Sequence, residues 1–402
     1  GNHLEESGGD GGMKWEKVAI KDICTGIYDG PHATPPLSDT GAIFLGISNF
    51  NNGRLDFSDI RYISEDDLPK WTKRVIPQKN DIVFSYEATL NLYAIIPEGF
   101  RGCLGRRMAL LRVDETKADY KFLYYYFYSD AWRATVNENI VLGATVDRIP
   151  LIKFPDFPVE LPPLETQHRI ADILSAYDDL IENNQKQIKL LEEAAQRLYK
   201  EWFVDLRFPG HENMEIVDGV PEGWKKERLV DIAEIQYGYA FDGTLFNADK
   251  NGTPIIRIRN IPQAETMDYT TEHVSENYLV QNGEIIVGMD GEFHINAWAG
   301  NTAYLVQRVC CIRPKNTEIK GWLLQAIYEP IKFFERTVVG ATVAHLGKKH
   351  LDSIYLLTSP EEFYEPFKTF FDKRLLLMNQ NRKLREARDR LLPKLMSGEV
   401  EV

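Results

Sequence analysis

Two stretches of the chain place their seam residues by strict alternation of four and three positions. In the first these are Ile170, Leu174, Tyr177, Ile181, Asn184, Ile188, Leu191, Ala195, Leu198 and Trp202; in the second Phe363, Phe367, Phe370, Arg374, Leu377, Asn381, Leu384, Arg388, Leu391 and Leu395. A stripe that advances 3.5 residues per turn over this length predicts the seam of a coiled coil rather than one face of a helix on a globular core. Set antiparallel with Asn184 against Asn381, the seams complement each other. Ile181 meets Leu384, Ile188 meets Leu377, Ala195 meets Phe370, Leu198 meets Phe367 and Trp202 meets Phe363. Tyr177 then faces Arg388 as a cation–π layer. A buried Asn pair costs stability and fixes register. Ser359-Pro360-Glu361-Glu362 reads as a capping box with Pro at the first helical position. Pro366 moves the start of the regular helix later, and Pro393 ends it near Leu392.

Outside these helices the apolar pattern is short and punctuated. Ala42–Ile47, Asp81–Phe84 and Met108–Leu111 are apolar runs bounded by Gly, Asn, Asp and Pro, as are Ile255–Ile258, Glu284–Val287 and Val309–Ile312. They predict strands, whereas Tyr120–Trp132 and Gly321–Arg336 read as helical. The two sets are copies. Trp15-Glu16-Lys17-Val18-Ala19-Ile20-Lys21-Asp22-Ile23 returns as Trp224-Lys225-Lys226-Glu227-Arg228-Leu229-Val230-Asp231-Ile232, and Gly143-Ala144-Thr145-Val146 returns as Gly340-Ala341-Thr342-Val343. Arg107–Arg112 echoes Arg308–Arg313. A unit this large is a domain and not a solenoid repeat. The fold class is therefore α+β, with two similar domains and two long helices.

The expected boundaries are an expression scar over 1–12, a first domain over 13–162 and a long helix over 163–208. A linker over 209–221, a second domain over 222–357 and a distal long helix over 358–402 complete the chain. A helix over 165–202 spans about 57 Å at 1.5 Å per residue. A domain of this size has a radius of gyration of roughly 14 Å, too compact to reach comfortably from one end of that rod to the other. Antiparallel helices remove the difficulty, which predicts a dumbbell with a domain at each end and an approximate two-fold axis.

Composition narrows the function. The net charge is −13, which argues against a polyanionic partner until its distribution is followed. Residues 161–221 hold 6 Lys and Arg against 12 Asp and Glu; the two domains are near neutral, so each has room for a local basic face. Cys24, Cys103, Cys310 and Cys311 form no Cys-x-x-Cys pair, which suggests neither a zinc site nor a disulfide framework. No apolar run approaches the roughly 18 residues of a membrane helix, so no membrane partner and a cytoplasmic location are expected. Enzymatic signatures are missing: no phosphate-binding Gly-rich loop, no dinucleotide fingerprint and no Asn/Asp-Pro-Pro-aromatic run to hold a flipped base. Pro155-Asp156 lacks the Glu-x-Lys of a nuclease and reads as a turn. His345 and His350 read as a loop feature rather than a metal site.

The wording at particular places is more specific. Leu161-Pro162-Pro163-Leu164-Glu165-Thr166-Gln167-His168-Arg169-Ile170-Ala171, opening a heptad helix, resembles the central conserved region of type I restriction-modification specificity subunits. Gly288-Met289-Asp290-Gly291-Glu292-Phe293, Trp298 and Gln307-Arg308-Val309-Cys310 resemble part of their target recognition domains, with Gly102–Met108 as the first-half variant; Leu391–Gly398 fits as well. The resemblance covers Met13 to Val402. It implies that each domain reads one half of a bipartite, asymmetric sequence in double-stranded DNA. The helices would set the unspecific gap and dock two modification (methyltransferase) subunits, to which restriction (motor and nuclease) subunits add translocation and cleavage. The chain itself would be non-catalytic and carry no cofactor or metal; AdoMet belongs on the modification subunits, ATP and Mg on the restriction subunits, in a prokaryotic cytoplasm. The competing readings are a coiled-coil scaffold with protein-binding ends and a self-sufficient DNA-modifying enzyme.

Duplication also sorts candidate readers. Arg107 and Arg308, with Arg112 and Arg313, recur and so read as framework or phosphate contacts. Base readers belong where the halves diverge, in loops whose side chains reach base edges. The candidates are Tyr28, His32, Tyr86 and Arg101, with Lys73 and Arg74 for phosphates, in the first domain. In the second they are Tyr237, Arg257, Arg259, Asp290 and His294.

Overall fold

The structure, a computed structural model, describes residues 15–143, 146–337 and 344–402. The proposed expression scar lies outside the described residues, as do Ala144 and Thr145 and the whole of Gly340–Val343 from the repeated Gly-Ala-Thr-Val segments. The chain divides into two compact units, one running to Asp179 and resuming over Glu386–Val402, the other Leu180–Arg385. Each long helix contributes to both units.

In the first unit, strands Cys24–Asp29, Met108–Val113, Ile82–Ser85 and Tyr93–Ile95 form one antiparallel sheet in that order. Every residue of Ile82–Ser85 is buried, which is why this stretch is a continuous apolar run rather than an alternating one. A second sheet pairs Ala42–Leu45 antiparallel with Arg61–Ile63 and parallel with Gly102–Leu104. Glu16–Ala19 and Pro158–Leu161 form a separate ladder. The helical stretch after Tyr120 is two helices. Asp119 caps Tyr120–Tyr126 through Phe122 N, and Ser129 caps Asp130–Asn139 through Trp132 N; the cap at Ser129 is the reason the expected single helix breaks. Trp132 is fully buried among Phe127, Phe154 and Phe157, and its Nε1 donates to Tyr93 Oη at 2.8 Å.

The ends of the long helices join this core: Ile170, Ala171 and Leu174 pack in the same cluster as Leu395 and Met396. Gln167, at the start of the first long helix, is buried and accepts from Asp119 N while donating to the Pro162 carbonyl, both at 2.9 Å. The helix is thereby tied to the cap of Tyr120–Tyr126. Arg388 does not form the expected layer on Tyr177. Its Nη1 lies 2.5 Å from Asp178 Oδ1, and Asp178 Oδ2 accepts from Tyr125 Oη at 2.6 Å. A charge-assisted bond to a half-satisfied buried carboxylate is stronger than a cation over a ring.

The second unit repeats the topology. Ala233–Tyr237, Val309–Pro314, Ile285–Gly288 and Ile295–Ala297 form the four-stranded sheet, and Thr253–Ile256 runs parallel to Ala303–Leu305 in the other. The ladder Lys225–Arg228 with Tyr355–Thr358 matches the first unit's Glu16–Ala19 ladder. The helical stretch is again two, Lys320–Ala326 and Tyr328–Thr337. Gly321 lets the second long helix pass closely, because a Cβ there would lie 2.2 Å from the Phe367 carbonyl oxygen. Within this unit the two long helices run antiparallel. Asn184 Nδ2 donates to Asn381 Oδ1 at 2.9 Å, Arg374 Nε to Glu192 Oε1 at 2.7 Å, and the Trp202 and Phe363 rings meet edge-on at 5.9 Å.

Two expectations about helix ends are corrected. The second long helix spans Glu365–Met396 with Pro393 inside it. Leu395 and Met396 are buried in the first unit's core, and that burial offsets the hydrogen bond Pro393 cannot donate. As expected, the regular helix begins after Ser359, at Glu365, and Pro366 falls in its first turn, where a helix has no partner for the missing N–H. The capping box at Ser359 is not formed: its Oγ donates to the Pro360 carbonyl and its backbone N to Tyr364 Oη, and a separate 3-10 turn, Glu361–Phe363, precedes the helix. The first long helix, Leu164–Tyr199, continues into a π-helical turn, Lys200–Val204, that buries Phe203 against Trp224 and Phe367.

Candidate nucleic-acid interface

Two charged clasps recur at matched places. In the first domain Arg112 donates Nε to Asp81 Oδ1 at 2.8 Å, and Nη2 to Asp81 Oδ2 at 2.7 Å and to the Ile76 carbonyl at 3.0 Å. In the second, Arg313 reaches Glu284 at 2.6 and 3.2 Å and the Leu279 carbonyl at 2.8 Å. Each acid also accepts from the backbone three residues upstream, Gln78 N and Gln281 N, both at 2.7 Å. The other clasp sets Arg107 Nε 3.2 Å from Glu87 Oε1 and Arg308 Nε 3.1 Å from Asp290 Oδ2. A backbone bridge covers each acid, from Arg148 in one domain and His345 in the other. The recurring arginines are held by acids of their own domain, so their first task is to fix turns.

Divergence sits at the end of the sheet. Leu110 is opposite Tyr28 and Ala109 opposite Asp29; Cys311 is opposite Gln236 and Cys310 opposite Tyr237. The next residue makes the same backbone bond in both domains, Gly30 N to the Met108 carbonyl at 2.9 Å and Gly238 N to the Val309 carbonyl at 3.0 Å. Asp29 therefore occupies in the first domain the place that Tyr237 occupies in the second.

Asp29, His32, Lys70, Trp71, Lys73 and Arg74 help to line a cavity of about 380 Å³. His32 Nε2 lies 2.8 Å from Asp29 Oδ2; Arg74 Nη1 donates to the Gly30 carbonyl at 2.9 Å and approaches the same Oδ2 at 3.4 Å. Trp71 Nε1 is sealed from solvent without a hydrogen-bond partner, and the Asp29 carboxylate is also hydrogen-bonded to Tyr86. Tyr86 is buried beside this carboxylate, and burial first and Asp29 second push its hydroxyl well above the usual tyrosine value. Lys70 lies over the Trp71 ring at 5.7 Å. Among the described residues no ion pair engages Lys73. Three of the sequence candidates, His32, Arg74 and Tyr86, thus meet at one carboxylate that sequence reasoning passed over, and Lys73 lines the same cavity. Tyr28, one residue away, packs on the core beneath the Arg112 guanidinium at 5.8 Å. Arg101 is exposed and paired with Glu65, away from the cavity.

The second domain's candidates are spread out. Tyr237 ends its strand half-buried, and burial raises its hydroxyl to about 12. Arg257 lies over the Phe246 ring at 5.6 Å. Arg259 grips Asp268 at 3.1 and 2.5 Å. Asp290 is shared by Arg308 and His345, the latter at 2.5 Å. His294 lines a different cavity, of about 240 Å³, with Asn296, Phe367 and Arg374. His345 and His350 flank Gly347, each in a bond of its own: His345 Nδ1 with Asp290 Oδ1, and His350 Nδ1 accepting from Gly347 N at 2.9 Å. Among the described residues no group of three or more His, Cys, Asp or Glu is placed to hold a metal ion, and no helix is long and apolar enough to cross a membrane.

A duplicated α+β domain, with long helices following each copy, is a known architecture. Residues 13–193 and 221–362 match the family described as the type I restriction modification DNA specificity domain, and the chain belongs to that family. It is similar to the MjaIX type I restriction enzyme specificity subunit of Methanocaldococcus jannaschii, 25% identical over 85% of this chain and 82% of that one. A putative specificity subunit of the same organism, MjaX, is 23% identical over 96% and 94% of the two chains. The EcoBI specificity subunit of Escherichia coli is 30% identical over 37% of this chain and 32% of its own. In fold it is similar to the crystal structure of a type I restriction-modification S subunit from M. genitalium, with a TM-score of 0.58, 17% identity and 98% of each chain covered.

Proposed function

We propose that this chain is the DNA-recognition subunit of a type I restriction-modification complex, with each domain reading one half of a bipartite, asymmetric target in double-stranded DNA. The observation that carries the reading is the paired construction of the domains: one topology, one set of arginine clasps, and different side chains at the sheet end (Asp29 and Tyr237). A shared frame with unlike chemistry at the same place is what reading two unlike half-sites requires.

In this proposal the long helices form an antiparallel coiled coil with approximate two-fold symmetry that sets the unspecific gap and docks two modification subunits. Antiparallel contacts within each unit support it, Asn184 with Asn381 in one and Asp178 with Arg388 in the other. Catalysis would then belong to the partners: methyl transfer from AdoMet on the modification subunits, ATP- and Mg-dependent translocation and cleavage on the restriction subunits, all in a prokaryotic cytoplasm. The test is to express the chain with its modification subunits and map methylated bases across a genome. A motif split by unspecific bases is expected. Methylation without a split motif, or methyl transfer by this chain alone, would overturn the reading.

A further inference from the structure

We propose that Asp29 is a base-reading residue of the first domain, and that the base it takes is cytosine, recognised through its exocyclic N4 amine. The inference rests on the DNA-recognition reading above and names the chemistry of one of its contacts.

Three observations converge on this residue. By strand register Asp29 stands at the end of the sheet where the second domain has Tyr237, so the frame keeps the place and changes the side chain. It lies in a cavity whose other charged and titratable lining groups are His32, Lys70, Lys73 and Arg74, a local basic patch suited to flanking phosphates in a chain of net charge −13. The cavity also holds a sealed polar atom with no hydrogen-bond partner, Trp71 Nε1, beside a carboxylate whose present partners are Tyr86, His32 and Arg74. Such atoms are uncommon in folded chains and ask for an explanation.

The chemistry selects the base. An ionised carboxylate only accepts hydrogen bonds, and in the major groove only the amines of cytosine and adenine donate. Adenine sets its N7 acceptor beside its amine, facing the second carboxylate oxygen, whereas cytosine presents no such acceptor. The groups now on Asp29 Oδ2 are exchangeable: His32 is 66% and Arg74 56% exposed, while the Asp29 side chain itself keeps 28%. An approaching cytosine amine displaces them, and the released Arg74 guanidinium turns to a neighbouring phosphate.

The experiment compares wild type with Asp29→Asn and Asp29→Glu, each as full chain with its modification subunits, by genome-wide methylation mapping and by binding to a random duplex library. Asn keeps the shape but adds a donor. It is expected to lower the preference for cytosine at one position of one half-site by roughly tenfold or more, leaving the other half and the gap unchanged. Glu, which keeps the acceptor, is expected to retain that preference. Thermal unfolding of the three chains is measured in parallel. A motif unchanged by Asn, a loss spread equally over all sequences, or an Asn variant that no longer folds would overturn the assignment, the last because the carboxylate would then be holding the fold. A wild type without a split motif would instead refute the underlying reading, so the two failures are distinguishable.

Discussion

Asp81 is 2% exposed, accepts from Gln78 N and takes a two-pronged bond from Arg112. Removing the arginine leaves a buried carboxylate without its cation, which is costlier than losing an exposed pair. Arg112→Ala is therefore expected to destabilise the chain by about 3 kcal/mol, whereas Arg101→Ala, whose pair with Glu65 is exposed on both sides, is expected to leave the melting temperature nearly unmoved. Equal effects in a melting experiment would contradict the distinction. Burial also sets an alkaline limit. Tyr128 and Tyr199 are raised to about 12 from 10, and Cys310 to about 12 from 9, in each case chiefly by burial. The unfolded chain releases these protons first, so stability is intact below pH 9 and falls as pH rises from there to 12. A melting temperature independent of pH across that window would refute it. The clasp arginines were legible in the sequence because they recur with their strands. Asp29 was not, because its counterpart Tyr237 shares none of its chemistry, and only a register counted residue by residue puts the two in one place.

The long helices show what a heptad pattern can and cannot convey. Asn184 against Asn381 followed from the alternation of four and three, and the structure joins them at 2.9 Å; Asn381 Nδ2 also approaches the Ile181 carbonyl at 3.3 Å. Asn184→Leu leaves Asn381 Oδ1 buried without its donor and is expected to cost about 1–3 kcal/mol. Replacing both by Leu removes the unmet need and is expected to recover that stability or exceed it, while loosening the choice of register. A double-mutant cycle read by thermal unfolding decides the matter: a neutral single variant, or a double variant worse than the single, would contradict it. The helix ends were less legible. Pro393 reads as a stop because local propensity knows nothing of Leu395 and Met396, whose burial holds the last turn. Ser359 reads as a cap, but Tyr364 Oη takes its backbone N–H and the turn closes differently. Gln167 was visible only as part of a family resemblance; its physical work, fastening the helix to the Asp119 cap, needed the tertiary contact.

For the molecule as a whole, the proposed role of the helices as a ruler has a quantitative consequence. Seven residues added to a helix lengthen it by about 10.5 Å at 1.5 Å per residue and turn it by only about 20° relative to a whole number of turns. Seven inserted between Asp179 and Leu180, and seven between Arg385 and Glu386, fall where the chain passes from one compact unit to the other and leave the internal contacts of each in place. On DNA, 10.5 Å is about three base pairs at 3.4 Å each. The paired insertion is expected to lengthen the unspecific gap of the methylated motif by about three base pairs, with both half-site sequences unchanged. Three base pairs also rotate the second half-site by roughly 100°, since a turn takes about 10–10.5 base pairs. Methylation should therefore be weaker than in the wild type even at the new spacing. Inserting three heptads in each helix adds about 31.5 Å, close to one full turn. That variant is expected to recover most of the lost efficiency with a gap longer by about nine base pairs. Mapping methylated bases for the two insertions against the wild type reads both quantities at once. A gap that stayed fixed while the helices grew would mean that something other than their length sets the spacing.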